Sequence, residues 1–243
     1  MPSSELFKAG DGTGIQLVPA PYCQYCSMPL GDDFGYLGIC YRCNRRFKEM
    51  GKEDPKKILY SPYSFSRAVA AGLYIKDDPQ KGSTGRLISG LKAQGLFVEA
   101  LAEAMGYVLK MRSPEISWDV AVPVPKSPGK PFHPVALLTE ELGKLTRTPA
   151  AAVMELDSSY ESGLGMSEME KFNNMRGKVK VARPDVIEGK SILLVDDIMT
   201  TQGVAHWCTD ALLNAGAVEV NVVIAGRSVD MRHLQFIGYG GPY

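Results

Sequence analysis

Ser191 to Val195 (SILLV) is an unbroken apolar run that stops on two adjacent carboxylates, Asp196 and Asp197. A strand with no polar alternation is buried on both faces, the habit of parallel sheets covered by helices. Acids placed directly after such a strand lie at its carboxyl end, where open α/β sheets bind their ligands. Further on, Val204, Trp207, Cys208, Ala211, Leu212 and Ala215 recur at helical spacing, and Gly216 ends that helix. Val218 to Ala225 (VEVNVVIA) is the next strand. Strand, loop, helix and strand in this order form one right-handed βαβ crossover, so the main domain is expected to be α/β.

The loop after Val195 reads Asp196-Asp197-Ile198-Met199-Thr200-Thr201-Gln202-Gly203 and enters the helix start. Backbone N–H groups and the helix dipole attract anions there. Thr200 and Thr201 add neutral donors for phosphate oxygens. Carboxylates have no use in a cradle for phosphate alone. Beside a sugar phosphate they accept hydrogen bonds from vicinal ribose hydroxyls, and they suit Mg²⁺, which prefers carboxylate plus phosphate oxygens. The plainer reading is that the acids merely end a strand and a threonine caps the helix. The ordered combination of buried strand, two acids, two threonines and helix start favours a ligand site.

The cysteines are spaced Cys23-x2-Cys26-x13-Cys40-x2-Cys43, with Cys208 far away on the apolar face of its helix. Two knuckles at this spacing fit a closed, tetrahedral, structural Zn²⁺ site, with a rubredoxin-type iron as the other occupant. Residues 21–50 hold too little apolar material for a core of their own, as is usual in small metal-stapled modules. From residue 42 to 57, Arg42, Arg45, Arg46, Lys48, Lys52, Lys56 and Lys57 stand against Glu49, Glu53 and Asp54. With Tyr41 and Phe47 nearby, this stretch is either a solvated helix face or a contact for single-stranded nucleic acid by charge and stacking. The whole chain has 27 basic and 27 acidic side chains, so nucleic-acid binding would need such a local patch. No run approaches the ~20 apolar residues of a membrane span, and the first residues lack a signal-peptide pattern, so a cytoplasmic protein is expected.

Elsewhere, residues 1–20 read as an irregular arm. Leu87, Ile88 and Leu91 begin one helical face, and Val98, Leu101, Ala102, Met105, Val108 and Leu109 form a second. Val120 to Val124 is a short strand, followed by Lys126 and Lys130 in a turn-rich segment and by a helix with Val135, Leu138, Leu142 and Leu145 on one face. Residues 157–178 read as a long loop, a length that is often functional. His133 has no acid to pair with and is read as structural.

Taken together, these stretches resemble a type I phosphoribosyltransferase, and more narrowly the ComF family of competence-associated proteins. The resemblance rests on Cys23-Gln-Tyr-Cys26 with Met28-Pro29-Leu30, Cys40-Tyr-Arg-Cys43, Leu87-Ile88 with Leu91-Lys92 and Gly95, and Val122-Pro123-Val124-Pro125. It continues through Ser167, Glu170, Asn174, Arg176 and Gly177, and then Leu193 to Thr201. It implies a Rossmann-like parallel sheet with helices on both faces, a small N-terminal four-cysteine zinc module over residues 1–57, and a phosphoribosyltransferase-like domain over 58–243. It implies phosphoribosyl pyrophosphate (PRPP) with Mg²⁺ as ligand. Asp196 and Asp197 would hold the ribose hydroxyls, while Thr200, Thr201, Gln202, Gly203 and Val204 would hold the 5′-phosphate. Lys126 and Lys130 would face pyrophosphate, with Arg176 on the hood over the site. A link with DNA uptake is also implied, through single-stranded DNA or a competence protein as partner. The sequence departs from the family where Gln202, Gly203 and Val204 replace the usual Gly-x-Thr, since Gln adopts positive φ less readily than Gly. It departs again at Lys130-Pro131-Phe132-His133-Pro134, and Gly163 stands where the hood carries glutamine. A protein that keeps ligand binding without turnover is therefore the other expectation.

Overall fold

The computed structural model describes residues 5–31, 38–50, 61–76, 78, 82–129, 131–160 and 165–238. The boundary at residues 57 and 58, the basic-stretch positions 52–57, Lys130 and Gly163 lie outside them.

At the centre are four parallel strands, β3 (Ala68–Ile75), β4 (Val120–Pro123), β7 (Ser191–Met199) and β8 (Glu219–Val229), in the order β3-β8-β7-β4. Their residues are buried almost end to end, as the unbroken apolar run of β7 requires. Helices α2 (Gly82–Gln94) and α3 (Val98–Arg112) lead from β3 at one edge to β4 at the other. Helix α4 (Pro134–Thr146) follows β4, and Ala150 then bridges to Ala121 in parallel on the outer side of β4. Helix α6 (Gly203–Asn214) joins β7 to β8 and runs the opposite way across the sheet. Right-handed crossovers that diverge in this manner put α2, α3 and α4 on one face and α6 on the other. The divergence occurs between β4 and β7, so a crevice opens at their carboxyl ends.

Three parts depart from the sequence expectation. Residues 6–16 are not an irregular arm. Strands β1 (Leu6–Lys8) and β2 (Gly14–Gln16) form a hairpin, with Ile15 and Leu17 buried and Leu17 bridged to Gly72. Gly72 permits this approach, because a Cβ there would fall 2.3 Å from Thr84 Oγ1 and 3.0 Å from the Gln16 carbonyl oxygen. The described parts of 157–178 are not structureless either. Within them helix α5 (Glu168–Asn173) starts on a Ser167–Glu170 capping box, and the flanking strands β5 (Met154–Leu156) and β6 (Val179–Val181) pair antiparallel. Finally, β7 continues to Met199, still paired with β8, so Asp196 and Asp197 lie within the strand rather than in the loop beyond it.

The cysteine module adds to the same apolar core as the sheet. Its helix α1 (Tyr41–Glu49) buries Cys43 and Phe47, and the Phe47 ring meets Tyr25 edge-on at 5.4 Å. Phe47 is therefore core and not a stacking surface for bases, while Tyr41 is exposed. The remaining helix, α7 (Met231–Phe236), follows β8. No helix among the described residues is long and apolar enough to cross a membrane.

Candidate functional site

The carboxyl end of β7 carries Asp196 and Asp197, each under a tenth exposed. Asp196 Oδ1 accepts from the Asp197 backbone N–H at 2.8 Å, and Asp197 Oδ1 meets Lys92 Nζ at 3.0 Å. Burial, and after it the adjacent Asp197 carboxylate, pushes the Asp196 carboxyl far up, to about 8. Lys92 thus places a cation beside the pair, while burial favours the protonated form of Asp196. Lys92 received little weight in the sequence; its signal was its place one turn beyond Ile88 on the sheet-facing helix α2.

Beyond Met199 the backbone is pinned from beneath. Arg227, fully buried on β8 beside Met199, donates through Nη1 to the carbonyl oxygens of Met199 and Thr200. Arg42 of α1 donates to the same Thr200 oxygen at 3.1 Å. One end of the buried Gln202 amide lies against the Thr201 carbonyl oxygen and the other against Arg227 Nη2, an arrangement that is satisfied when the amide nitrogen faces the carbonyl and the amide oxygen faces the arginine. In a trans peptide the N–H points opposite to the C=O. Holding these carbonyls inward therefore turns the N–H groups of Thr200, Thr201 and Gln202 to the other side. Gly203, Val204 and Ala205 add the unpaired N–H groups of the first turn of α6. No described residue accepts from these N–H groups. The result is an anion cradle of backbone donors next to two carboxylates.

Gln202 itself stands at φ 64°, in the left-handed region that its side chain was expected to resist. The cost of ~1–2 kcal/mol is offset because the carboxamide is buried and bonded at both ends. The glycine next door has a different task. A Cβ on Gly203 would lie 2.7 Å from Phe172 Cα and 2.7 Å from the Phe172 carbonyl oxygen, which also accepts from Trp207 Nε1 at 2.7 Å. Gly203→Ala should therefore push α5 off the start of α6 at a cost of about 1–3 kcal/mol. Faster amide hydrogen exchange over residues 165–176 would register this; wild-type exchange would refute it.

Other expected residues fall as follows. Thr200, Thr201 and Val204 are partly exposed at the cradle. Lys126 is exposed just beyond β4, on the other lip of the crevice. Arg176 rests over the Trp207 ring at 5.6 Å rather than over the two acids. His133 accepts from the Ala136 N–H at 3.2 Å and caps α4, a structural use. Cys208 is buried packing. Arg227 escaped the sequence reading; a lone arginine inside an apolar strand run was the signal.

The four cysteines Cys23, Cys26, Cys40 and Cys43 are all buried, with their sulfurs within 4.8 Å of one another. Cys23–Cys43 is 3.7 Å and Cys26–Cys40 is 3.6 Å. Tetrahedral Zn–S bonds of ~2.3 Å need S–S edges of ~3.8 Å, so the set fits the ion. The S–H groups of Cys23, Cys40 and Cys43 hold the Cys26 thiol well below its usual range, and burial holds Cys23 well above. With four protein ligands there is no open coordination position, so a metal here would be structural.

Scanned against family models the chain matches none, and no curated protein matches it. Among solved structures it is similar to the glutamine PRPP amidotransferase of B. subtilis complexed with ADP and GMP, at 22% identity over 54% of this chain and 27% of that one, TM-score 0.36. It is similar to a Staphylococcus aureus hypoxanthine phosphoribosyltransferase, at 18% identity over 55% and 73%, TM-score 0.37. It is also similar to the adenine phosphoribosyltransferase of Saccharomyces cerevisiae, at 17% identity over 61% and 76%, TM-score 0.36. The chain thus spans about a quarter of the amidotransferase. Likeness of this degree assigns the chain neither a family nor a chemistry.

Proposed function

We propose that the protein binds PRPP with Mg²⁺ in the crevice between β4 and β7 and acts as a phosphoribosyltransferase of the ComF type. The observation that carries this reading is the buried Asp196–Asp197 pair set directly beside the backbone cradle of Thr200–Ala205. Vicinal hydroxyls of a ribose donate to oxygens of the two carboxyl groups, and the 5′-phosphate accepts from the cradle. Mg²⁺, when bound, neutralises phosphate charge, and the carboxylate oxygens of Asp196 and Asp197 with the ligand's phosphates are the donor set it prefers. Transfer breaks the bond between the anomeric carbon and pyrophosphate. The chain's part is to hold the ribose still, screen the departing pyrophosphate with Lys126, and exclude water as the β5–β6 arm with α5 closes, bringing Arg176 inward. In this reading residues 1–57 form the metal module and 58–243 the transferase domain, in the cytoplasm, with a role in DNA uptake.

Calorimetry with PRPP and Mg²⁺ tests it. Wild type should bind, and Asp196→Asn/Asp197→Asn should bind at least ~100-fold more weakly, since charge-assisted hydrogen bonds contribute ~1.5–3 kcal/mol each. No heat with either protein sinks the ribose-phosphate reading. Pyrophosphate release across a panel of bases and amines then distinguishes transfer from binding alone. Binding alone, with the zinc module holding single-stranded DNA or a protein partner, is favoured by one observation, the resting of Arg176 on Trp207.

A further inference from the structure

The fold delivers Lys92 to the acid pair by packing, across a long separation in sequence. Its helix α2 buries Ile88 and Leu91 completely. Ile88 comes so near β8 that a Cβ on Gly226 would lie 2.6 Å from its Cδ1. Gly226 is paired with Ile198 of β7, the residue after Asp197. The bare backbone at Gly226 thus lets α2 settle over the carboxyl end of β7. The helix then stops, with the Gly95 N–H on the Leu91 carbonyl oxygen. Lys92 leaves that last turn one residue past the buried Leu91, and its Nζ reaches Asp197 Oδ1 at 3.0 Å. The lysine side chain is 46% exposed and the aspartate 11%, so the ammonium lies on the solvent side of the acid. An ion pair this open to water adds little to stability. Its position has the larger consequence: whatever reaches that oxygen from the crevice meets the ammonium first.

We infer that Lys92 is a built-in counter-ion, which holds the Asp197 oxygen until a divalent cation and a phosphorylated ligand arrive together, and then moves onto the ligand's phosphate oxygens. The inference rests on the PRPP reading above and adds an order of binding to it. A carboxylate oxygen that accepts from an ammonium has to give up or share that interaction before it ligates a metal. A divalent cation placed beside Lys92 is also repelled by it. Metal alone is therefore opposed at this site. A polyphosphate removes the opposition, because its oxygens ligate the metal and also accept from the displaced ammonium. The flexible four-carbon stem carries the charge from one acceptor to the other while α2 stays packed. Free metal is kept out and metal with phosphate is admitted, so each raises the affinity for the other. Lys92 is in this sense a positioning residue that discriminates the metal-bearing ligand from the metal by itself.

Titration with Mn²⁺, which takes the same oxygen ligands as Mg²⁺ and whose free fraction is read by EPR, tests this without turnover. Without PRPP, Lys92→Met should bind Mn²⁺ roughly tenfold more tightly than wild type. Adding Asp196→Asn/Asp197→Asn to that variant should abolish the gain, which places the ion at the acid pair. Lys92→Arg keeps the cation and should bind like wild type. With the Mn²⁺–PRPP complex formed in solution subtracted, PRPP should tighten Mn²⁺ binding more in wild type than in Lys92→Met. An ion pair that served the fold alone would produce no such difference. Equal Mn²⁺ affinity in wild type and Lys92→Met would overturn the inference, as would Lys92→Arg binding like Lys92→Met. The two readings fail separately. PRPP binding with no effect of Lys92 on Mn²⁺ sinks this inference alone, whereas no heat from PRPP beside a persistent gain in Lys92→Met sinks the transferase reading and leaves the counter-ion in place.

Discussion

Replacing Cys43 with Ser, or stripping the protein with a chelator, is expected to lower the unfolding midpoint by on the order of ten degrees or more. Purified wild type should carry one equivalent of metal, colourless if zinc and visibly absorbing if iron. Structural zinc contributes ~10–16 kcal/mol of apparent binding energy in small modules, and a kcal/mol is worth ~2–4 °C in a chain of this size. In the Cys43→Ser variant the three remaining sulfurs of the cluster would be left buried without an ion to share their charge. The damage should also travel. Cys40 and Cys43 flank Arg42, whose bond to the Thr200 oxygen helps turn the cradle outward, and Phe47, fully buried, sits one turn beyond Cys43. Loss of the metal should therefore weaken PRPP binding even though no cysteine approaches the ligand. Metal-free purified protein, together with a Cys43→Ser variant that melts like wild type, would refute the metal centre.

That coupling could not be read from residue order, whereas the parts could. The apolar run of β7, the helix stopped by Gly216 and the following strand are written in local pattern, because hydrophobic periodicity and a terminating glycine act over a few residues. The cysteine spacing is legible for the same reason: each knuckle is a short-range turn. β3 was missed because Ala68, Ala70, Ala71 and Gly72 have little strand propensity of their own; they are strand because β8 and the β1–β2 hairpin press on both sides. Gln202 carries the intrinsic cost in the left-handed region that its identity implies, and what offsets that cost, Arg227 and the Thr201 carbonyl, is distant in sequence or faces inward. Lys92 and Arg42 reach the site from other elements altogether, and their charge reads as ordinary surface until the fold places them. Long-range electrostatics, not local propensity, is what the sequence conceals here.

The same electrostatics gives Asp196→Asn opposite effects on stability and on binding. A carboxyl raised to about 8 in the folded chain, against an ordinary value near 4 when unfolded, takes up a proton on folding. Its cost to stability is absent below the unfolded value, grows as pH rises through the interval between the two, and is complete above the folded value. Wild type should therefore lose stability from pH 5 to pH 8 at this position, by on the order of a few kcal/mol. Asn cannot ionise, yet its side-chain oxygen can still accept from the Asp197 N–H that Asp196 now holds at 2.8 Å. The variant should melt several degrees above wild type at pH 8, with the gap closing towards pH 5. Its affinity for PRPP should fall, and most at the higher pH where Asp196 ionises, because the ribose hydroxyls then meet an amide instead of a carboxyl group. Scanning calorimetry across pH, without and with PRPP and Mg²⁺, reads both effects at once. A gap that does not change with pH would mean that Asp196 is ionised in the folded chain. Ligand stabilisation equal to wild type would mean that it does not hold the ribose. The buried acid is a place where stability has been given up for recognition, and only a variant more stable and less able to bind would demonstrate it.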